Sequence, residues 1–166
     1  MKKLLLLDAD VVIDLHSLGL FEKMRKSYSL HVTQEVLAEA RFYKRRNQKI
    51  PIKMGKKVTA IDNVRVEHLA TVQKEAREAW LAIDSGESTS IAYILQGEKD
   101  IALCLCDKAA IKLIAYMNLE QNSISLEKAL KNAGHHKKLY PRHFESAFQN
   151  SIKQGKVLRI QYKKLT

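Results

Sequence analysis

Leu4-Leu5-Leu6-Leu7-Asp8-Ala9-Asp10-Val11-Val12 is the stretch on which the reading of the fold turns. A run that is apolar at every position and bounded by charges has the pattern of a parallel strand buried on both faces. Asp8 then marks the C-terminal end of that strand, and the residues from Val11 onward have the spacing of a helix. The same word recurs downstream: Ile101 to Cys106 is a second strongly apolar run, again closed by an aspartate, Asp107.

Between and beyond these runs, helical and extended patterns alternate. Val11 to Lys26 reads as helix with a break near Gly19, and Leu30 to Val32 as a short strand. Thr33 is placed to cap a helix carrying Val36, Leu37 and Ala40 on its apolar stripe. Gln48 to Lys57, with Pro51 and Gly55, reads as a basic loop, Val64 to Val66 as a strand, and His68 to Leu81 as a helix. Asp84-Ser85-Gly86-Glu87 forms a turn into a helix ended by Gly97. Further helices are expected from Ala109 to Tyr116, Leu126 to Ala133 and Pro141 to Gln154, with a weak strand at Ser123 to Ser125. The expectation is a single α/β domain over residues 1–154, its central, mainly parallel sheet covered by helices on both faces. The basic tail, 155–166, alternates from Val157 to Tyr162 and could add an edge strand.

At 166 residues and 46% hydrophobic composition, the chain suffices for one sizeable core. Its early apolar run is too short for a signal peptide or a membrane span, so a cytoplasmic protein with no membrane partner is expected. The two cysteines, Cys104 and Cys106, suit neither a disulfide nor a zinc site and read as buried thiols. A formal charge of +11 favours an acidic partner, nucleic acid before lipid. From Arg41 to Lys57 there is no acid, and Arg41, Lys44, Arg45 and Arg46 are the candidates for contact with a phosphate backbone.

In parallel α/β sheets, ligands gather beyond the C-terminal ends of the strands. Asp8 and Asp107 each follow a strand; Glu39 lies on the helix after the second strand and Glu87 in the first turn of a later helix. Converging carboxylates repel one another unless a cation keeps them ionised, and an all-oxygen set suits Mg2+ or Mn2+ better than zinc. Each also has a plainer role. Asp8 and Asp107 could be helix caps, Glu39 an exposed helix residue beside Glu35, and Glu87 a first-turn acid favoured by the helix dipole.

The order and local context of these acids resemble the PIN-domain nucleases, especially the toxin-like prokaryotic branch. Leu6-Leu7-Asp8-Ala9-Asp10-Val11-Val12-Ile13 looks like that family's first motif, and Val32 to Glu39 is similar to the second. Asp84 to Ala92 resembles a Gly-Glu variant of the third, and Leu103 to Lys108 the fourth. The resemblance covers residues 1–119 and, more loosely, the helices to 154. It departs from the family pattern at Asp10, where Asn is common, at Ser90, where Ala is usual, and in the added basic segment from Arg45 to Lys57. It implies a metal-dependent endoribonuclease in which Asp8, Glu39, Glu87 and Asp107 bind one or two Mg2+ or Mn2+ ions. Cleavage would leave a 5′-phosphate and a 3′-hydroxyl, with Asp10 and Asp84 in supporting roles. An RNA substrate, a small antitoxin-like protein partner and a homodimer are further implications. Two rivals stand beside it. Asp8-Ala9-Asp10-Val11 also resembles the nucleophile motif of haloacid-dehalogenase-like phosphatases, with Asp8 as nucleophile and Asp10 as acid/base, though the later acidic pair is hard to find around Asp107. The other is a non-catalytic module that binds RNA or protein.

Overall fold

A computed structural model describes residues 1–163. The chain is α/β. Among the described residues five strands make one parallel sheet: β1 (Lys3–Leu7), β2 (Tyr28–Thr33), β5 (Thr59–Ile61), β6 (Ile101–Cys104) and β7 (Ser123–Ile124), in the order β5-β2-β1-β6-β7. Eight α-helices flank it: α1 (Ala9–Ser17), α2 (Phe21–Ser27), α3 (Gln34–Glu39), α4 (Val66–Glu78), α5 (Ser85–Gln96), α6 (Lys108–Tyr116), α7 (Leu126–Asn132) and α8 (Glu145–Lys163). This architecture is consistent with a PIN-like fold.

The leucine run explains the two layers. Successive side chains of a strand point to opposite faces. Leu5 and Leu7 accordingly enter a core with Val12 and Leu15 of α1, Met24 of α2 and Leu126 and Leu130 of α7. Leu6 enters the other core with Val72 of α4, Ile91 of α5, Leu113 of α6 and Phe148 of α8. A strand sandwiched in this way cannot tolerate a polar residue on either side, which is why the run is unbroken until Asp8.

After β1 the chain builds outward through β2 to β5, then returns to place β6 on the other side of β1. The winding reverses between β1 and β6, and there the loops at the strand ends part to leave a crevice. Leu7 pairs with Cys104 and the Asp8 N–H donates to the Cys104 carbonyl at 3.1 Å, so the two strands end side by side.

Four local expectations need correction. The expected basic loop, Gln48 to Lys57, begins instead with a strand, β4 (Gln48–Pro51), which pairs antiparallel with β3 (Phe42–Arg45) in a hairpin turning through Arg46 and Asn47 at positive φ of 49° and 63°. This is the conformation of a tight two-residue hairpin turn, reached here without the glycine that usually signals it. The third strand of the sheet lies at Thr59–Ile61, and Val66 already begins α4, because the segment that pairs with β2 precedes the expected one. Cys106, expected in a strand, lies beyond the end of β6, although both thiols are buried as expected. Finally, 155–163 is not an edge strand but the continuation of α8. Gly155 sits mid-helix because a Cβ there would lie 2.3 Å from the Lys112 carbonyl oxygen of α6, so it admits a close helix crossing instead of ending the helix. The rest of the expected tail, residues 164–166, lies outside the described residues.

Candidate active site

Asp8 is at the N-cap position of α1, yet its side chain makes no capping hydrogen bond. It is 4% exposed. A buried carboxylate without a strong partner is costly to ionise. Burial pushes its pKa up to about 7; the Ala9 N–H opposes this, while Asp84, Asp10 and Glu39 add repulsion. The helix-cap account therefore fails for Asp8.

For Asp107 and Glu87 the plainer account holds in part. Asp107 accepts from the Ala110 N–H at 2.9 Å and so caps α6. Asp84 and Glu87 form a reciprocal capping box at the start of α5: the Glu87 N–H donates to Asp84 Oδ1 at 2.8 Å and the Asp84 N–H to Glu87 Oε2 at 3.0 Å. Each of these bonds occupies one oxygen of a carboxylate that has two. Glu87 is buried, and its pKa is pushed up to about 8 by that burial, against the Asp84 N–H bond and with repulsion from Asp107, Asp84 and Asp8. A pure structural cap would be held ionised by its hydrogen bond; here the surroundings work the other way.

Glu39, at the last position of α3, reaches the N-terminus of α5. Both of its carboxylate oxygens would lie 3.0 Å from a Cβ at Gly86, so glycine is what allows the approach. Glu39 is exposed, as the plainer reading expects, yet the partial shielding of its carboxyl and then Asp84 raise its pKa, Gly86 N–H and Ser85 lower it, and Asp10 raises it further.

Asp8, Glu39, Glu87 and Asp107 are thus electrostatic neighbours, with Asp10 and Asp84 among them. They are not a closed cage: among the described residues no group of three His, Cys, Asp or Glu is arranged to hold a metal ion. The donors suit a hard divalent cation nonetheless, being all carboxylate, with oxygens left over after capping and with two groups that burial disfavours as bare anions. Cys104 and Cys106 lie close by, but burial raises both thiols and keeps them protonated, which argues against thiolate ligation.

One part of the site lies outside the sequence expectations. Asp14, on α1, accepts from His143 Nε2 at 2.6 Å and from Arg142 Nη2 at 2.6 Å, while Arg142 Nη1 reaches Asp10 Oδ2 at 3.3 Å. Burial would raise the Asp14 carboxyl, but the hydrogen bonds from His143 and Arg142 outweigh it and hold it below the ordinary carboxylate range. Arg142 and His143 come from the short turn of 3-10 helix at Pro141–His143. They form a clamp on the flank of the acidic crevice. The i, i+4 spacing of Asp10 and Asp14 is the only local hint of it.

The basic candidates lie together next to this flank. Lys44 and Arg45 are on β3, Arg46 is in the turn and Arg41 precedes the hairpin; all four are exposed. Lys44, Arg45 and Arg46 are hairpin residues, whereas Arg41 follows the end of α3 and is a helix-end charge. No helix among the described residues is long and apolar enough to cross a membrane. Comparison with protein-family models, with curated proteins and with solved structures returns no match for this chain.

Proposed function

We propose that the chain is a PIN-like, divalent-cation-dependent nuclease that hydrolyses phosphodiester bonds in RNA. One observation carries this reading: Asp8, buried and without a capping partner, ends β1 beside β6 at the reversal of the sheet, with Glu39, Glu87 and Asp107 as its electrostatic neighbours. Asp8, Glu39, Glu87 and Asp107 would hold Mg2+ or Mn2+. The bound cation would activate water and stabilise the departing oxygen.

The chain's own contribution is positional. The capping box fixes Glu87 relative to Asp84, and Gly86 lets Glu39 come against the same helix end. Arg142 is bonded to Asp14 and reaches Asp10, which keeps Asp10 on the flank of the crevice. The hairpin cations supply attraction for a polyanion, a term that falls steeply with salt.

Single-stranded RNA incubated with the protein and Mn2+ should be cut, with no cutting in chelator or by Asp8→Asn. Release of phosphate from aryl phosphates by the parent, with RNA left intact, would favour the phosphatase reading. RNA binding without cleavage under any divalent cation would favour a non-catalytic module.

A further inference from the structure

The hairpin meets the 140–142 segment in a cleft of about 460 Å3, lined among others by Phe42, Tyr43, Lys44, Tyr140 and Arg142. Its size lies within the range of small-ligand sites, about 300–1,000 Å3. Phe42 and Tyr140 are 46% and 44% exposed, although large aromatic rings are strongly favoured for burial. Tyr43 and Ile50, paired across the hairpin, are only half-buried, and Tyr43 lies 5.8 Å from the His16 ring of α1, which ties the hairpin to the body. Phe42 and Lys44 alternate with Tyr43 along β3, and all three border the cleft.

The lining carries two cations, Lys44 and Arg142, against one carboxylate, Asp14. Lys44 stands directly across the hairpin from Lys49, a like-charge pairing that destabilises a two-stranded ribbon and that an anion would relieve. Lys49 Nζ lies 6.0 Å from the centre of the Phe42 ring. The carboxylate in the wall, Asp14, is already bonded to Arg142 and His143. Arg142 also lines a neighbouring cleft with Asp10, Cys106 and Asp107, so a chain lying in the first cleft continues past Arg142 toward the candidate active site.

We infer that this cleft binds an unpaired nucleotide of single-stranded RNA, its base against Phe42 and Tyr140 and its phosphate held by Lys44 and Arg142. The inference rests on the nuclease reading for its purpose and names the path by which substrate enters that site. A protein segment would use the aromatic rings equally well, but the acid-free run of cations from Arg41 to Lys57, which builds the hairpin side of the cleft, complements a phosphate backbone. Stacking on aromatic side chains tolerates any base and contributes about 5- to 150-fold in affinity per base.

Binding can be read without cleavage by anisotropy in chelator. The probes are a fluorescein-labelled twelve-nucleotide oligo(A) RNA and an abasic strand with the same backbone. Phe42→Ala/Tyr140→Ala should bind oligo(A) about tenfold more weakly than the parent, change little on the abasic strand, and keep the parent's salt slope. Phe42→Leu/Tyr140→Leu, which retains apolar bulk, should show the same loss and melt like the parent. Lys44→Gln should weaken both strands alike and reduce the logarithmic salt slope by about 0.7. Unchanged oligo(A) affinity in both aromatic variants would overturn the inference and leave the cleft to a protein partner; equal loss on both strands would also overturn it. Failure of the nuclease reading is separate, because it shows as uncut RNA in Mn2+ whatever these affinities are.

Discussion

Asp8 lies immediately before α1 and Asp14 inside it, both are buried, and their surroundings act on them in opposite directions. Asp14 meets an arginine and a histidine and is held below the ordinary carboxylate range. Asp8 meets other carboxylates and is pushed up to about 7. Burial is common to the two; compensation is not. A carboxylate matched by cations within the chain stabilises the fold, whereas one left among like charges detracts from it and is explained by something the fold has to bind.

The sharpest way to break this contrast is to remove the compensated member. Asp14→Ala strips His143 Nε2 and Arg142 of their shared acceptor, and His143 Nδ1 is already buried without a partner among the described residues. Breaking a buried pair costs about 3–5 kcal/mol, and with Arg142 partly exposed the lower end applies, a fall in Tm of roughly 6–12 °C. The loss should be the same in chelator and in Mn2+. A fall of under about 2 °C would show that the clamp does not stabilise the fold.

The pH dependence of stability separates the two groups further. Asp8 and Glu87 have folded-state pKa values of about 7 and about 8, above their ordinary values of 3.8 and 4.5. The folded chain therefore keeps protons that the unfolded chain releases. Their contribution to stability is fully present below about pH 4 and declines as pH rises through 7 and 8. Asp14 has the reverse sign: its contribution is present above the ordinary carboxylate range and is lost as pH falls through its depressed folded value. In chelator, the parent should lose stability relative to Asp8→Asn between pH 5 and 8 by up to about 1.4 kcal/mol per pH unit. Parallel Tm profiles for the two proteins over that range would remove the case for an uncompensated Asp8.

The mildest perturbation acts on Glu39 through its neighbour. Gly86→Ala adds a methyl 3.0 Å from both Glu39 oxygens, and the carboxylate must give by a few tenths of an ångström. Alanine is favoured over glycine in a helix by up to about 1 kcal/mol, so Tm should hold or rise slightly. Mn2+ affinity, read by calorimetry, should fall. Unchanged Mn2+ affinity would place Glu39 outside the cation site, and the same loss in Glu35→Gln would move the role to Glu35.

How much of this was legible in the sequence depended on whether the cause was local. The leucine run and the two strand-ending aspartates declare themselves because burial on both faces forbids polar residues until the strand ends. The Asp84–Glu87 turn is legible for the same reason, since a capping box closes within four residues. The hairpin was hidden because Arg46 and Asn47 adopt positive φ without glycine, and the continuation of α8 because Gly155 answers to the Lys112 carbonyl of another helix. The Asp14–His143 pair spans 129 residues and leaves no periodicity to find. Sequence nominates Asp8 but not Asp14; only the fold separates the compensated from the uncompensated.

The most direct test of that separation is a set of thermal melts of the parent and Asp8→Asn, each in chelator and in added Mn2+. Asparagine keeps the shape of the side chain and removes one of the mutually repelling charges. In chelator Asp8→Asn should melt higher than the parent, and Mn2+ should raise the parent's Tm by more than the variant's, because a ligand stabilises only the state that binds it. A Mn2+ shift that is as large in Asp8→Asn as in the parent would contradict the assignment of Asp8 as a ligand and with it the proposed cation site.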